Sequence, residues 1–109
     1  MSERTAIGGG LAAAMLMLMA ALNGASADAA AGKDLAEKWC AGCHSVFPDR
    51  LSPNLAAPTF PELAAEPSIT QYSLRAFLRS PHETMPQIAF TPEQMDDIVD
   101  YILSLKPHH

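Results

Sequence analysis

The sequence is poor in the residues that usually anchor a small core, and poor in positive charge. Of its 109 residues only 6% are aromatic, and the only cysteines are Cys40 and Cys43. One disulfide between cysteines this close would shut a tiny, poorly stabilising loop, so no disulfide framework is available. A structural zinc site needs four ligands, usually as two pairs, and His82, His108 and His109 show no spacing that would complete one. Lysine and arginine number 7 against 12 Asp and Glu, a formal charge of -5. That balance argues against nucleic acid and against anionic lipid surfaces as partners. No stretch alternates with the two-residue period of a strand, so the chain is predicted to be all-α.

Long hydrophobic runs are also scarce. Ile7 to Leu22 is apolar and uncharged, but it contains three glycines and falls short of the ~20 residues that span a bilayer. A short polar head precedes it, Asn23-Gly24 breaks it, and Ala25-Ser26-Ala27 offers a small-x-small cleavage site. This is the pattern of a secretory signal peptide cut after Ala27, with a retained membrane anchor as the alternative. The expected organisation is a signal peptide over 1–27 and one domain over 28–109. Arg4 and Glu3 leave together, so the exported part keeps the charge of -5. So small a domain is marginal unless something other than its own side chains fills the core.

Cys40-Ala41-Gly42-Cys43-His44 supplies that something. Cys-x-x-Cys-His is the haem-attachment pattern: two thiols add across the vinyl groups of a haem, and the adjoining imidazole is placed to coordinate its iron. One covalent haem c is therefore expected, with His44 as a metal ligand. A thioredoxin-like redox pair would follow a buried strand, whereas Gly32 to Trp39 reads as a helix rich in Ala, Leu, Glu and Lys.

Ala29 to Gly32 is expected to be a frayed leader, with the first helix running from about Lys33 into the Cys40 turn. Ser45 to Pro58, with Pro48, Pro53 and Pro58, reads as loop. Thr59-Phe60-Pro61-Glu62 is a capping box opening a short helix that Glu66-Pro67 ends. Ser68 or Thr70 caps the next helix, which Ser80-Pro81 stops. Thr91-Pro92-Glu93-Gln94 opens a last helix with Met95, Ile98, Val99, Ile102 and Leu105 on one face. Lys106 is expected in its final turn, favoured there by the dipole, and Pro107 ends it.

Three side chains compete for the other side of the iron. Met95 lies on the apolar stripe of a helix and reads as core filler. Met85, followed by Pro86, lies in the loop between the last two helices, where irregular backbone can present it. His82 lies in the same loop and is the natural substitute if Met85 is lost.

The helix leading into Cys40, Cys43 and His44, the following Pro58, Met85-Pro86 about forty residues on, and the Thr91-capped terminal helix occur in an order that resembles class I cytochrome c, the small soluble monohaem type. The likeness covers nearly all of 28–109. It implies a cytochrome c fold of three to four short helices wrapped around one covalent haem. It also implies His44 and Met85 as axial ligands on opposite faces, with the Pro58 carbonyl steadying His44. Haem attachment in bacteria takes place outside the cytoplasmic membrane, which places the protein in the periplasm. Gly32 and Ala36 fit the family's close crossing of first and last helices. Trp39 and Tyr72 are candidates to bond a propionate, with half-buried packing as the plainer role. The loop after His44 lacks the lysine- and glycine-rich character of mitochondrial members, so it identifies no oxidase or reductase.

The expected function is transfer of single electrons between redox partners, by a monomer that is not itself an enzyme. Its partners should present basic docking surfaces and meet it through small, brief interfaces. Two alternatives remain: a dedicated cytochrome c subunit of a periplasmic dehydrogenase or oxidase, or a haem-based gas sensor or weak peroxidase if Met85 does not ligate.

Overall fold

The computed structural model describes residues 27–82 and 84–107. Residues 1–26 of the expected signal peptide and the His108-His109 pair lie outside the described residues. Among the described residues four helices form: α1 (Ala29–Trp39), α2 (Phe60–Ala65), α3 (Gln71–Arg79) and α4 (Pro92–Ser104). Among the described residues there is no strand, so the all-α expectation holds.

Local sequence explains most of the boundaries. Thr59, Thr70 and Thr91 each cap the residue three further on, and Glu62, Ser73 and Gln94 reach back to complete three capping boxes. Each box satisfies two backbone N–H groups that a helix start leaves without partners. Two expectations need correction. Helix α1 begins at Ala29, not near Lys33, because the Asp28 carboxylate accepts from the N–H groups of Ala30 and Ala31 at 2.9 and 3.2 Å. Ala29 to Gly32 is therefore a capped first turn. At the other end α4 stops at Ser104, so Lys106 lies just past the C-cap Leu105 and not in the last turn.

Helix α4 is the hub. Among the described residues each of the other helices packs on α4, and none of those three packs on another. Met95, Ile98, Val99, Tyr101 and Ile102 are its buried face, which settles Met95 as core filler. The closest approach is with α1: a Cβ on Gly32 would lie 1.9 Å from the Asp97 carbonyl oxygen. Only a residue without a side chain lets the two backbones meet there. One turn on, Ala36 is fully buried. The crossing expected from Gly32 and Ala36 is thus present, centred on Asp97 and Ile98. Arg75 of α3 pairs with Asp96 of α4 at 2.5 Å. A cavity lies between the end of α1, the segments after it and the segment that links α3 to α4.

Candidate haem site

The attachment segment is built by the end of α1. Cys40 caps the helix, its N–H bonded to the Ala36 carbonyl at 2.8 Å; Cys43 and His44 then donate back to the Cys40 carbonyl at 3.2 and 3.0 Å. This turn brings Cys40, Cys43 and His44 to one wall of the cavity. Both thiols are free. Burial pushes the Cys40 thiol up to about 11, whereas disulfide-exchange cysteines are tuned downward to expose a thiolate. Among the described residues no cluster of three His, Cys, Asp or Glu could hold a bare metal ion, so the fold lends the zinc reading no support.

The proline-rich stretch after His44 has no regular structure, yet it is firmly tied. Ser45 N–H donates to the Ser52 hydroxyl at 3.0 Å, Asn54 N–H to the Cys43 carbonyl at 3.1 Å and Phe60 N–H to the Ser45 carbonyl at 2.9 Å. The buried Tyr101 hydroxyl of α4 donates to the Val46 carbonyl at 2.6 Å. The Phe47 ring lies under Lys33 and Arg50, 5.7 and 5.0 Å from its centre. Asp49 turns the chain with a φ of 64°, a left-handed conformation that Asp tolerates better than most residues.

These ties deliver the Pro58 carbonyl to His44, whose Nδ1 lies 2.6 Å away. A carbonyl only accepts, so Nδ1 carries a proton and donates, and Nε2 is the nitrogen left to meet a metal. Phe60 backs the imidazole at 5.7 Å between ring centres, and Tyr101 backs Phe60 at 6.4 Å.

A second part of the lining comes from residues 78–82 and 84–90. Leu78, His82, Met85, Ile88 and Phe90 line the same cavity. Met85 N–H closes a turn on the His82 carbonyl at 3.0 Å. The His82 Nδ1 and Thr84 hydroxyl are 2.8 Å apart, and its ring rests 5.7 Å from that of Phe77. Met95 is absent from the lining, Trp39 is part of it, and Tyr72 is 81% exposed on α3. Tyr72 thus lacks even the half-buried packing expected of it. Leu78, Ile88 and Phe90 were not singled out from the sequence as site residues. For Ile88 and Phe90 the available signal is an apolar side chain in a loop, where no helical stripe calls for it; Leu78 lies on the apolar spacing of α3 and carries no such signal.

About 820 Å³ of space, part of it open solvent, lies within the cavity and its mouth. Two free thiols, an imidazole with one nitrogen already bonded, a thioether and apolar walls meet in it. The residues fit a haem attached at Cys40 and Cys43.

Comparison with known proteins agrees. The family described as cytochrome c oxidase, cbb3-type, subunit III matches residues 27–102. Cytochrome c-552 of Bradyrhizobium diazoefficiens (strain USDA 110) is 38% identical over 82 residues, covering 75% of this chain and 79% of that protein. No solved structure matches. The chain therefore belongs to the cytochrome c family, as a small all-helical electron-transfer protein with covalently bound haem c.

Proposed function

We propose that the protein is an exported, periplasmic monohaem shuttle in which Cys40 and Cys43 form the thioether links and His44 and Met85 ligate the iron. The observation that carries this reading is that all four side chains, from segments some forty residues apart, line one cavity. Bound there, haem c supplies reversible one-electron exchange, and a thioether ligand, being a weak soft donor, favours the reduced iron relative to a second imidazole. The chain's own groups hold the geometry. The Pro58 carbonyl keeps the proton on His44 Nδ1 and orients the ring. Phe60 and Tyr101 stop the ring from turning away, and Leu78, Ile88 and Phe90 limit water. The net charge of -5 favours partners with basic docking faces.

The test is a haem-stained denaturing gel with intact mass, followed by spectra of Met85→Ala. We expect one haem mass on a chain starting at Asp28. In the variant the ferric far-red band of sulfur ligation disappears and the midpoint potential falls. His82 then takes the vacant position, so Met85→Ala stays low-spin and the Met85→Ala, His82→Ala double variant becomes high-spin and binds CO. An unchanged spectrum in Met85→Ala would defeat the ligand assignment.

A second reading is favoured by the matched family's description as an oxidase subunit: the domain serves as a fixed electron-accepting subunit of an oxidase. It predicts that the protein from native membranes or extract elutes with a larger complex. Elution at the size of the single chain supports the free shuttle.

A further inference from the structure

At the far end of α1 the backbone nitrogen of Asp28 donates to the Asp97 carboxylate at 2.8 Å, joining residues 69 positions apart. The contact lies at the crossing where Gly32 meets the Asp97 carbonyl. Asp28 is also the first residue after the small-x-small site Ala25-Ser26-Ala27. We propose that cleavage after Ala27 converts this hydrogen bond into an ion pair, so that removal of the leader itself clamps α1 onto α4. The inference rests on the leader reading given above.

The chemistry is hydrolysis of the Ala27–Asp28 amide by a peptidase, with water as co-reactant. The C–N bond breaks, the water oxygen joins the Ala27 carbonyl carbon, and Asp28 leaves as an amine that is protonated at neutral pH. The same nitrogen then has three donors and a full positive charge where it had one neutral N–H. A cation at a helix N-terminus opposes the macrodipole, so it needs a countercharge. The Asp28 carboxylate is engaged by the N–H groups of Ala30 and Ala31, which leaves Asp97 as the carboxylate already in contact. The other charged groups in the adjoining turns are Lys33, Asp34 and Glu37 on α1 and Glu93, Asp96 and Asp100 on α4. Lys33 faces Glu37, and Asp96 is held by Arg75 of α3. A retained leader would leave a neutral amide at this point and no ion pair.

The experiment uses the exported haem protein, Asp97→Asn, a variant with Gly-Ser inserted between Ala27 and Asp28, and the two changes combined. The insertion moves the amine away while keeping the Asp28 N–H. Mass spectrometry should place the mature N-terminus at Asp28. NMR titration should find the α-amino group above its usual range of about 7.7–8.0, returning to it in Asp97→Asn. That substitution should lower the folding equilibrium constant about three-fold in the natural mature chain, as for an exposed pair, and by less when the insertion is present. An amine titrating in its usual range, or equal effects of Asp97→Asn in both backgrounds, overturns the clamp while leaving the leader boundary intact. A mature chain beginning elsewhere overturns both.

Discussion

The two walls of the haem cavity are held in different ways. The Cys40–Pro58 wall has no helix beyond Trp39, yet five hydrogen bonds between residues 7 to 55 positions apart and a relay of three rings fix it, the last ring coming from α4. Among the described residues the equally irregular Pro81–Phe90 wall shows only short-range ties: Met85 N–H on His82, Phe90 N–H on Ile88, the Thr84 hydroxyl beside the His82 ring, that ring against Phe77, and a long contact of 3.4 Å from the Gln87 amide to the Arg79 carbonyl. Regular secondary structure thus says little about which side is rigid; what matters is where the backbone polar groups find partners. The side with fewer internal ties is expected to open first.

Substitutions can break or sharpen that contrast. Phe60→Ala, which removes the middle ring of the relay from a site 3% exposed, should cost about 3–5 kcal/mol in denaturant unfolding of the haem protein. Gly32→Ala forces a methyl group against the Asp97 carbonyl; the helices must part, and a loss of about 2 kcal/mol or more is expected. Tyr101→Phe leaves the Val46 carbonyl buried without its donor and should cost about 1–3 kcal/mol. Burial, and after it the nearby Glu37, raises the Tyr101 phenol above its ordinary 10.0. The stability it contributes is full below pH 10 and is lost as pH rises through the raised value. The gap between wild type and Tyr101→Phe should therefore narrow in that alkaline window, as followed by unfolding curves at stepped pH. Gln87→Ala, on the methionine wall, should change stability by less than about 0.5 kcal/mol. A Gln87 loss as large as that of Tyr101 would erase the proposed difference between the walls.

The sequence made three of the four helix starts readable because Thr59, Thr70 and Thr91 carry their caps within three residues. The start of α1 was missed although Asp28 before three alanines is itself a cap signal, because small residues after a cleavage site resemble a loose tail. The attachment segment was legible from five contiguous residues, and the small Gly32 and Ala36 announced the helix crossing. The ties of the loop after His44 were not legible. They join Tyr101 to Val46 and Ser45 to Phe60, pairings that depend on how the chain returns on itself and leave no periodic trace. Pro58 as the partner of His44 came from resemblance, and the 2.6 Å contact supplies its physical basis.

The arrangement in which α1, α2 and α3 each lean only on α4 bears on the order in which the molecule is completed. An emerging chain presents its amino-terminal side first, so Cys40 and Cys43 are synthesised well before the thirteen residues of α4 that everything else rests on. Contacts between such distant segments form late, after the loop between them has closed. Until then both sulfurs lie on an unsupported stretch of polypeptide; in the folded chain Cys40 is buried against the core and reached from the cavity, while Cys43 stays exposed.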